Sequence, residues 1–177
     1  MTCCNPWRRM AVLLTCVLSL ACVPAWAAES DNGQAKPSAG KHVRLLAVGN
    51  SFSGNTTHYL GDLVKASAGG NKLTFGHASI GGCPLDKHVL LAEKFEKNPQ
   101  DPAGKPYPGK TSLRELLQRD SWQYITIQQA SIKSFELDSY RPWAGKLRDY
   151  IKRYAPQAEL LVHQTWAYRD DDPLFRK

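Results

Sequence analysis

Cysteine is scarce in this 177-residue chain and poorly placed for cross-linking. Four of the five cysteines, Cys3, Cys4, Cys16 and Cys22, precede Pro24, which leaves Cys83 alone in the remainder. One cysteine makes no internal disulfide, so the fold beyond that point must stand on packing. Runs of basic residues are also missing. The net charge is +7, but Lys and Arg are interspersed with Asp and Glu, which argues against a nucleic-acid partner. There is no internal repeat, which excludes solenoids and arrays. After Val23 no apolar stretch approaches the roughly 20 residues of a membrane span.

The one long apolar run, 10–23, follows Arg8 and Arg9 and precedes the small-x-small triplet Ala25-Trp26-Ala27. That layout predicts a secretory signal peptide over 1–27 and a periplasmic or secreted protein with no stable membrane span after cleavage. A membrane anchor is the competing reading, but the run is short and Pro24 ends it. Cys22 after Leu20-Ala21 offers a lipoprotein variant, for which Ser19 is a poor match. Residues 28–41 are rich in Gly, Pro, Ser and Asn and read as a flexible leader, with the folded domain expected over 42–177.

Within that domain four β-rich apolar segments are expected as strands, at 42–48, 73–78, 124–128 and 160–163. Helical spacing predicts a helix from about Thr56, with Tyr59, Leu60, Leu63 and Val64 on one face, and another over 85–95. Tyr140, Trp143, Leu147, Tyr150, Ile151 and Tyr154 recur at the same period. Ser112 and Glu115 form a capping box before Leu116 and Leu117. Four prolines, at 99, 102, 106 and 108, exclude regular structure in the loop that carries them. Strands alternating with helices argue for an α/β fold with a parallel sheet covered on both faces. Such sheets bind ligands at the carboxyl ends of their strands.

The first strand ends in Gly49-Asn50-Ser51-Phe52-Ser53 just before a helix. A serine in a tight strand-to-helix turn has an exposed hydroxyl beside backbone N–H groups that favour negative charge, as a nucleophile requires. The plainer reading is that Ser51 and Ser53 cap the helix. The segment 43–53, Val-Arg-Leu-Leu-Ala-Val-Gly-Asn-Ser-Phe-Ser, resembles the first conserved block of the SGNH (GDSL-like) hydrolase superfamily, in its Gly-Asn-Ser form. Ala78-Ser79-Ile80-Gly81-Gly82-Cys83 resembles the second block, and 124–131, Tyr-Ile-Thr-Ile-Gln-Gln-Ala-Ser, lies where the third should be. The wording of Gly-Gly-Cys and of His163-Gln164-Thr165-Trp166-Ala167-Tyr168 is similar to a bacterial branch known only as a domain of unknown function.

This resemblance implies a three-layer α/β/α, flavodoxin-like fold and hydrolysis of esters, often acetyl groups on carbohydrates, with no metal and no cofactor. Ser51 would be the nucleophile, and the N–H groups of Ser51 and of Gly81 or Gly82 would stabilise the oxyanion. The family's third block carries an asparagine that this chain lacks, and Gln128 or Gln129 could supply the amide instead. The other reading of these glutamines is backbone bonding at the strand end. Asn50, His163, Trp166 and Tyr168 are candidate substrate-binding residues, the two aromatics as a wall for a sugar ring or as simple packing.

The family's Asp-x-x-His block is absent, so the chain is expected to be a fragment, incomplete at the C-terminal end of the fold. Of the five histidines, His163 ends the fourth strand on the right edge and is the best internal substitute, while His88 is expected on a helix surface. Cys83 reads as a small buried thiol. Two other functions compete. A non-catalytic carbohydrate-binding protein fits the missing histidine, and 51–57 also looks like the phosphate loop of a flavin-binding flavodoxin.

Overall fold

The computed structural model describes residues 40–173. The expected signal peptide and nearly all of the expected leader lie outside the described residues.

Strand β1 (His42–Gly49) forms where the apolar residues Leu45, Leu46, Ala47 and Val48 run up to a glycine. Helices α1 (Ser51–Thr57) and α2 (Leu60–Ala66) lead to β2 (Lys72–Ser79). Helix α3 (Leu85–Lys97), a proline-rich loop and the short α4 (Leu113–Leu117) precede β3 (Tyr124–Ile127). Helix α5 (Trp143–Tyr154) then leads to β4 (Glu159–Val162). The strands form one small sheet in the order β2-β1-β3-β4, parallel throughout. An α/β fold with a parallel sheet and flanking helices is therefore present. Right-handed crossovers put α1 and α2 on one face and the later helices on the other. Helices α3, α4 and α5 duly touch one another.

The main core lies on the α3–α5 face. Leu46 and Val48 of β1 and Ile125 and Ile127 of β3 pack there against Leu85, Leu117, Leu147 and Ile151. Trp122 lies against β2, and a side chain at Gly76 would come within 2.8 Å of its ring, so that strand position must stay glycine. The proline-rich loop contains only a single 3-10 turn at Pro102–Gly104 and a bridge between Tyr107 and Thr111. The capping box forms as the spacing predicts. Ser112 accepts from the Glu115 N–H, and the Glu115 carboxylate accepts from the Ser112 N–H at 2.7 Å, which holds that carboxyl below its ordinary range.

Three expectations need correction. The first helix begins at Ser51 and not near Thr56, because Asn50 caps it by accepting the Phe52 N–H at 3.1 Å. It then breaks at His58-Tyr59. The Thr57 hydroxyl donates to the Ser53 carbonyl, and the His58 N–H reaches back only to Asn55, tightening the last turn. The supposed apolar face faces water in part, with Tyr59 67% and Leu63 65% exposed, and α2 has no buried residue. Finally, His88 is not on a helix surface but fully buried on the inner side of α3. An imidazole at that spacing reads as polar until its partners are known.

Candidate functional site

Ser51 is the first residue of α1, directly beyond the carboxyl end of β1, and its side chain is exposed. The first N–H groups of a helix have no backbone partner inside it, and here that of Phe52 is taken by the Asn50 side chain. A pocket of about 100 Å³ opens there, lined by Asn50, Ser51, Phe52, Gly82, Ala130, Ser131 and Ile132. Parts of all three sequence blocks thus meet around one serine.

Asn50 holds the blocks together. Its Oδ1 accepts from the Phe52 N–H and from Nε2 of Gln128 at 3.0 Å, while its Nδ2 donates to the carbonyl of Cys83 at 3.2 Å. The Ser53 hydroxyl donates to Oε1 of Gln128. Asn50, Ser53 and Gln128 are all buried, so this is an internal polar network with its bonds made. Gly49 lies against it. A Cβ there would sit 2.5 Å from Ser53 Oγ and 2.8 Å from Gln128 Oε1, so the glycine of the first block is a packing requirement.

The second block is a tight turn in which the Cys83 N–H donates to the Ile80 carbonyl and Gly82 has φ +61°, the left-handed region that favours glycine. Of the two glycines only Gly82 lines the Ser51 pocket. Cys83 is buried, and burial pushes its thiol up to about 11, so it is an inert packing residue.

The expected glutamine donors are not presented to the pocket. Gln128 is committed to Asn50 and Ser53. Gln129 accepts from the N–H groups of Leu85 and Ala130 and donates to Ser139. Both are buried, so neither amide reaches an oxyanion at Ser51 without giving up its partners. The backbone-bonding reading describes Gln129, and Gln128 stabilises the loop through side chains. Asn50 likewise serves as a cap and network centre, although it also lines the pocket.

Trp166 is 63% exposed and lies against Phe52, which lines the serine pocket, with ring centroids 4.7 Å apart and planes tilted by 48°. The Tyr168 hydroxyl donates to Ser131 at 2.8 Å, joining that pocket to a second one of about 250 Å³ lined by Tyr140, Thr165, Trp166 and Tyr168 among others. The contact of Trp166 with Phe52 joins the segments that follow β4 and β1, strands separated in the sheet by β3, so no local pattern in the sequence announces it.

No histidine among the described residues is hydrogen-bonded to Ser51. Nε2 of His163 lies 3.2 Å from the Thr56 hydroxyl, and partial burial lowers its pKa. His42 pairs with Thr74, His88 with Gly49 and Tyr107. His58 and His77 make edge contacts with Tyr59 and Phe75. The segment 51–57 is helical. The hydroxyls of Ser53 and Thr57 turn inward, to Gln128 and to the helix's own carbonyls, while Ser51 and Thr56 are exposed. Among the described residues there is no cluster of three or more potential metal ligands, and no helix is long and apolar enough to cross a membrane.

Among solved structures the fold is similar to the crystal structure of a DUF4886 family protein from Bacteroides uniformis ATCC 8492, with TM-score 0.62 and 30% sequence identity. The match covers 77% of this chain and 55% of that one, so the chain spans little more than half the length of its relative. No curated protein matches the chain. The model of the family described as a domain of unknown function, DUF4886, matches residues 44–174, which takes in the sheet from the third residue of β1 onward and the serine pocket. The chain therefore belongs to the DUF4886 family.

Proposed function

We propose that this chain carries the nucleophile of an exported serine esterase of the SGNH (GDSL-like) type, acting on small-molecule or carbohydrate esters. The observation that carries the reading is the position of Ser51. It is exposed on the first residue of a helix at the carboxyl end of β1, in one pocket with Gly82. In the proposed reaction the Ser51 hydroxyl attacks the acyl carbonyl. The developing oxyanion is received by the backbone N–H groups of Ser51 and Gly82, and the alcohol leaves as the acyl-serine forms. Water then releases the acid. Phe52 and Trp166 flank the entry and suit the face of a sugar ring.

The reading needs a base, because an unassisted serine is a poor nucleophile. It assigns that role to a histidine brought to Ser51 by a further segment, for which the greater length of the relative leaves room. His163 is the internal alternative and would first have to leave Thr56.

A second reading, a carbohydrate-binding protein without catalysis, is favoured by the absence of a histidine partner for Ser51 among the described residues. One experiment separates the two. The complete natural protein is expected to hydrolyse p-nitrophenyl acetate, and Ser51→Ala to lower that rate by at least about a thousandfold with an unchanged thermal midpoint. An unchanged rate in the variant would show that Ser51 is not the nucleophile. No turnover at all, with retention of an oligosaccharide, would favour the binding protein.

A further inference from the structure

The most completely buried ionisable group outside the serine pocket is His88, and both of its ring nitrogens are engaged. Nε2 lies 3.1 Å from the carbonyl oxygen of Gly49, and Nδ1 lies 2.8 Å from the Tyr107 hydroxyl. A carbonyl can only accept, so Nε2 carries the proton and donates. In the neutral ring Nδ1 is then bare, so the Tyr107 hydroxyl donates to it. Both residues are buried, and their rings are parallel within 3°. Burial keeps the imidazole neutral, lowering its pKa to about 4.

The acceptor at the end of this chain is informative. The Gly49 carbonyl belongs to the peptide whose N–H is that of Asn50, the residue that precedes the serine. That oxygen also accepts the Ile80 N–H at 3.1 Å, which ties the first block to the second. Two donors on one carbonyl fix the plane of the Gly49–Asn50 peptide. Asn50 then fixes Phe52, Cys83 and Gln128 by its side chain. A buried, hydrogen-bonded histidine and tyrosine contributed by α3 and the proline-rich loop are thus spent on one backbone group beside the pocket. A leucine at position 88 would fill the core without that bond.

We infer that His88 and Tyr107 form a positioning pair that sets the Gly49–Asn50 peptide and through it the placement of Ser51. The inference rests on the esterase reading for its kinetic consequence but not for its geometry. Tyr107→Phe keeps the ring and removes the donor to Nδ1. His88→Gln keeps an amide donor in reach of Gly49. Val89→Ala, on the same helix but facing the core, controls for lost packing.

The experiment measures p-nitrophenyl acetate kinetics and thermal midpoints for the complete protein and these variants, together with ¹⁵N NMR of the His88 ring. Tyr107→Phe is expected to lower kcat by about 10- to 100-fold with KM within about twofold, since small misplacements of a reacting group cost that much. His88→Gln should recover part of the rate lost in His88→Leu. Val89→Ala should lower the midpoint and leave kcat unchanged. The NMR spectrum should show Nε2 protonated and Nδ1 bare, unchanged from pH 5 to 8. Unaltered kcat in Tyr107→Phe, or a loss of rate in Val89→Ala equal to that in Tyr107→Phe, would overturn the inference, as would a ring protonated on Nδ1. Absent turnover in the wild type would instead sink the esterase reading. The NMR tautomer would then decide the positioning pair by itself.

Discussion

On one face of the sheet, α3, α4 and α5 bury Leu85, Val89, Ala92, Leu113, Leu116, Leu117, Leu147 and Ile151 against Leu46, Val48, Ile125 and Ile127. On the other, α1 contributes one buried residue, Ser53, and α2 none, while Tyr59 and Leu63 point into water. Apolar burial of a large aliphatic side chain contributes about 1.5–3 kcal/mol, so the two faces differ greatly in how firmly they hold the sheet. Helix α1 is attached by hydrogen bonds instead, from Ser53 to Gln128 and from Thr56 to His163. The candidate nucleophile starts this lightly packed helix. The buried groups that hold its entry are Asn50, Gln128 and His88, the last reaching the Gly49 carbonyl from α3 on the packed face. Stability is concentrated on one face and exposed chemistry on the other, which fits the general drawing of ligand-binding segments from less stable parts of a fold.

The largest expected contrast sets a leucine from each face side by side. Leu147→Ala, on the packed face, should cost about 2–5 kcal/mol of unfolding free energy. Leu63→Ala, on the thin face, should stay within about 0.5 kcal/mol. Urea midpoints of the two variants measure the contrast, and comparable losses would show that α2 is packed after all.

A second test uses pH. In the unfolded chain His88 titrates near 6.5, and in the fold near 4, because burial disfavours the charged ring. The unfolded state therefore binds more protons between these values. The stabilisation from keeping the ring neutral is complete above pH 6.5 and is lost as pH falls towards 4, by roughly 3 kcal/mol. Thermal melts of wild type and His88→Gln across that interval should show a steeper acid limb in the wild type. Parallel limbs would remove the packed-face histidine as the cause. Glu115 acts further down the scale. Its lowered pKa adds stability above the ordinary carboxylate range that is lost as pH falls through its folded value.

The smallest effects are at two glycines. Gly49→Ala drives a Cβ into Ser53 and Gln128 and should cost about 1–3 kcal/mol. Gly54→Ala, inside α1 with nothing within 4 Å of the added carbon, should stabilise by up to about 1 kcal/mol. Chemical denaturation of both variants reads the difference, and a destabilising Gly54→Ala would reveal a contact on the thin face.

Much of the fold was legible because it is written in local pattern. The four strands appear within about two residues of the segments chosen by β-rich apolar runs, and α3, α5 and the Ser112–Glu115 cap follow helical spacing. The start of α1 was not legible, because Asn50 works as a cap only when Gln128 and Cys83 orient its side chain. Tyr59 and Leu63 misled for a related reason: periodicity identifies an apolar stripe but does not supply a surface to cover it. At the site, Ser51 stood out by its place after a strand. The choice between Gly81 and Gly82 and the occupation of both glutamines depended on distances between residues far apart in the chain.

By itself the sequence determined the alternation of strand and helix, the turn glycines and the exposed serine after β1. These depend on side-chain period and on backbone freedom within a few residues. Only the tertiary structure decided that Gln128 and Gln129 are spent, that Gly82 shares the Ser51 pocket, and that His88 reaches Gly49 from within the core. The physical reason is that a polar side chain's role is set by the partner it meets, and these partners lie 10 to 78 residues away along the chain.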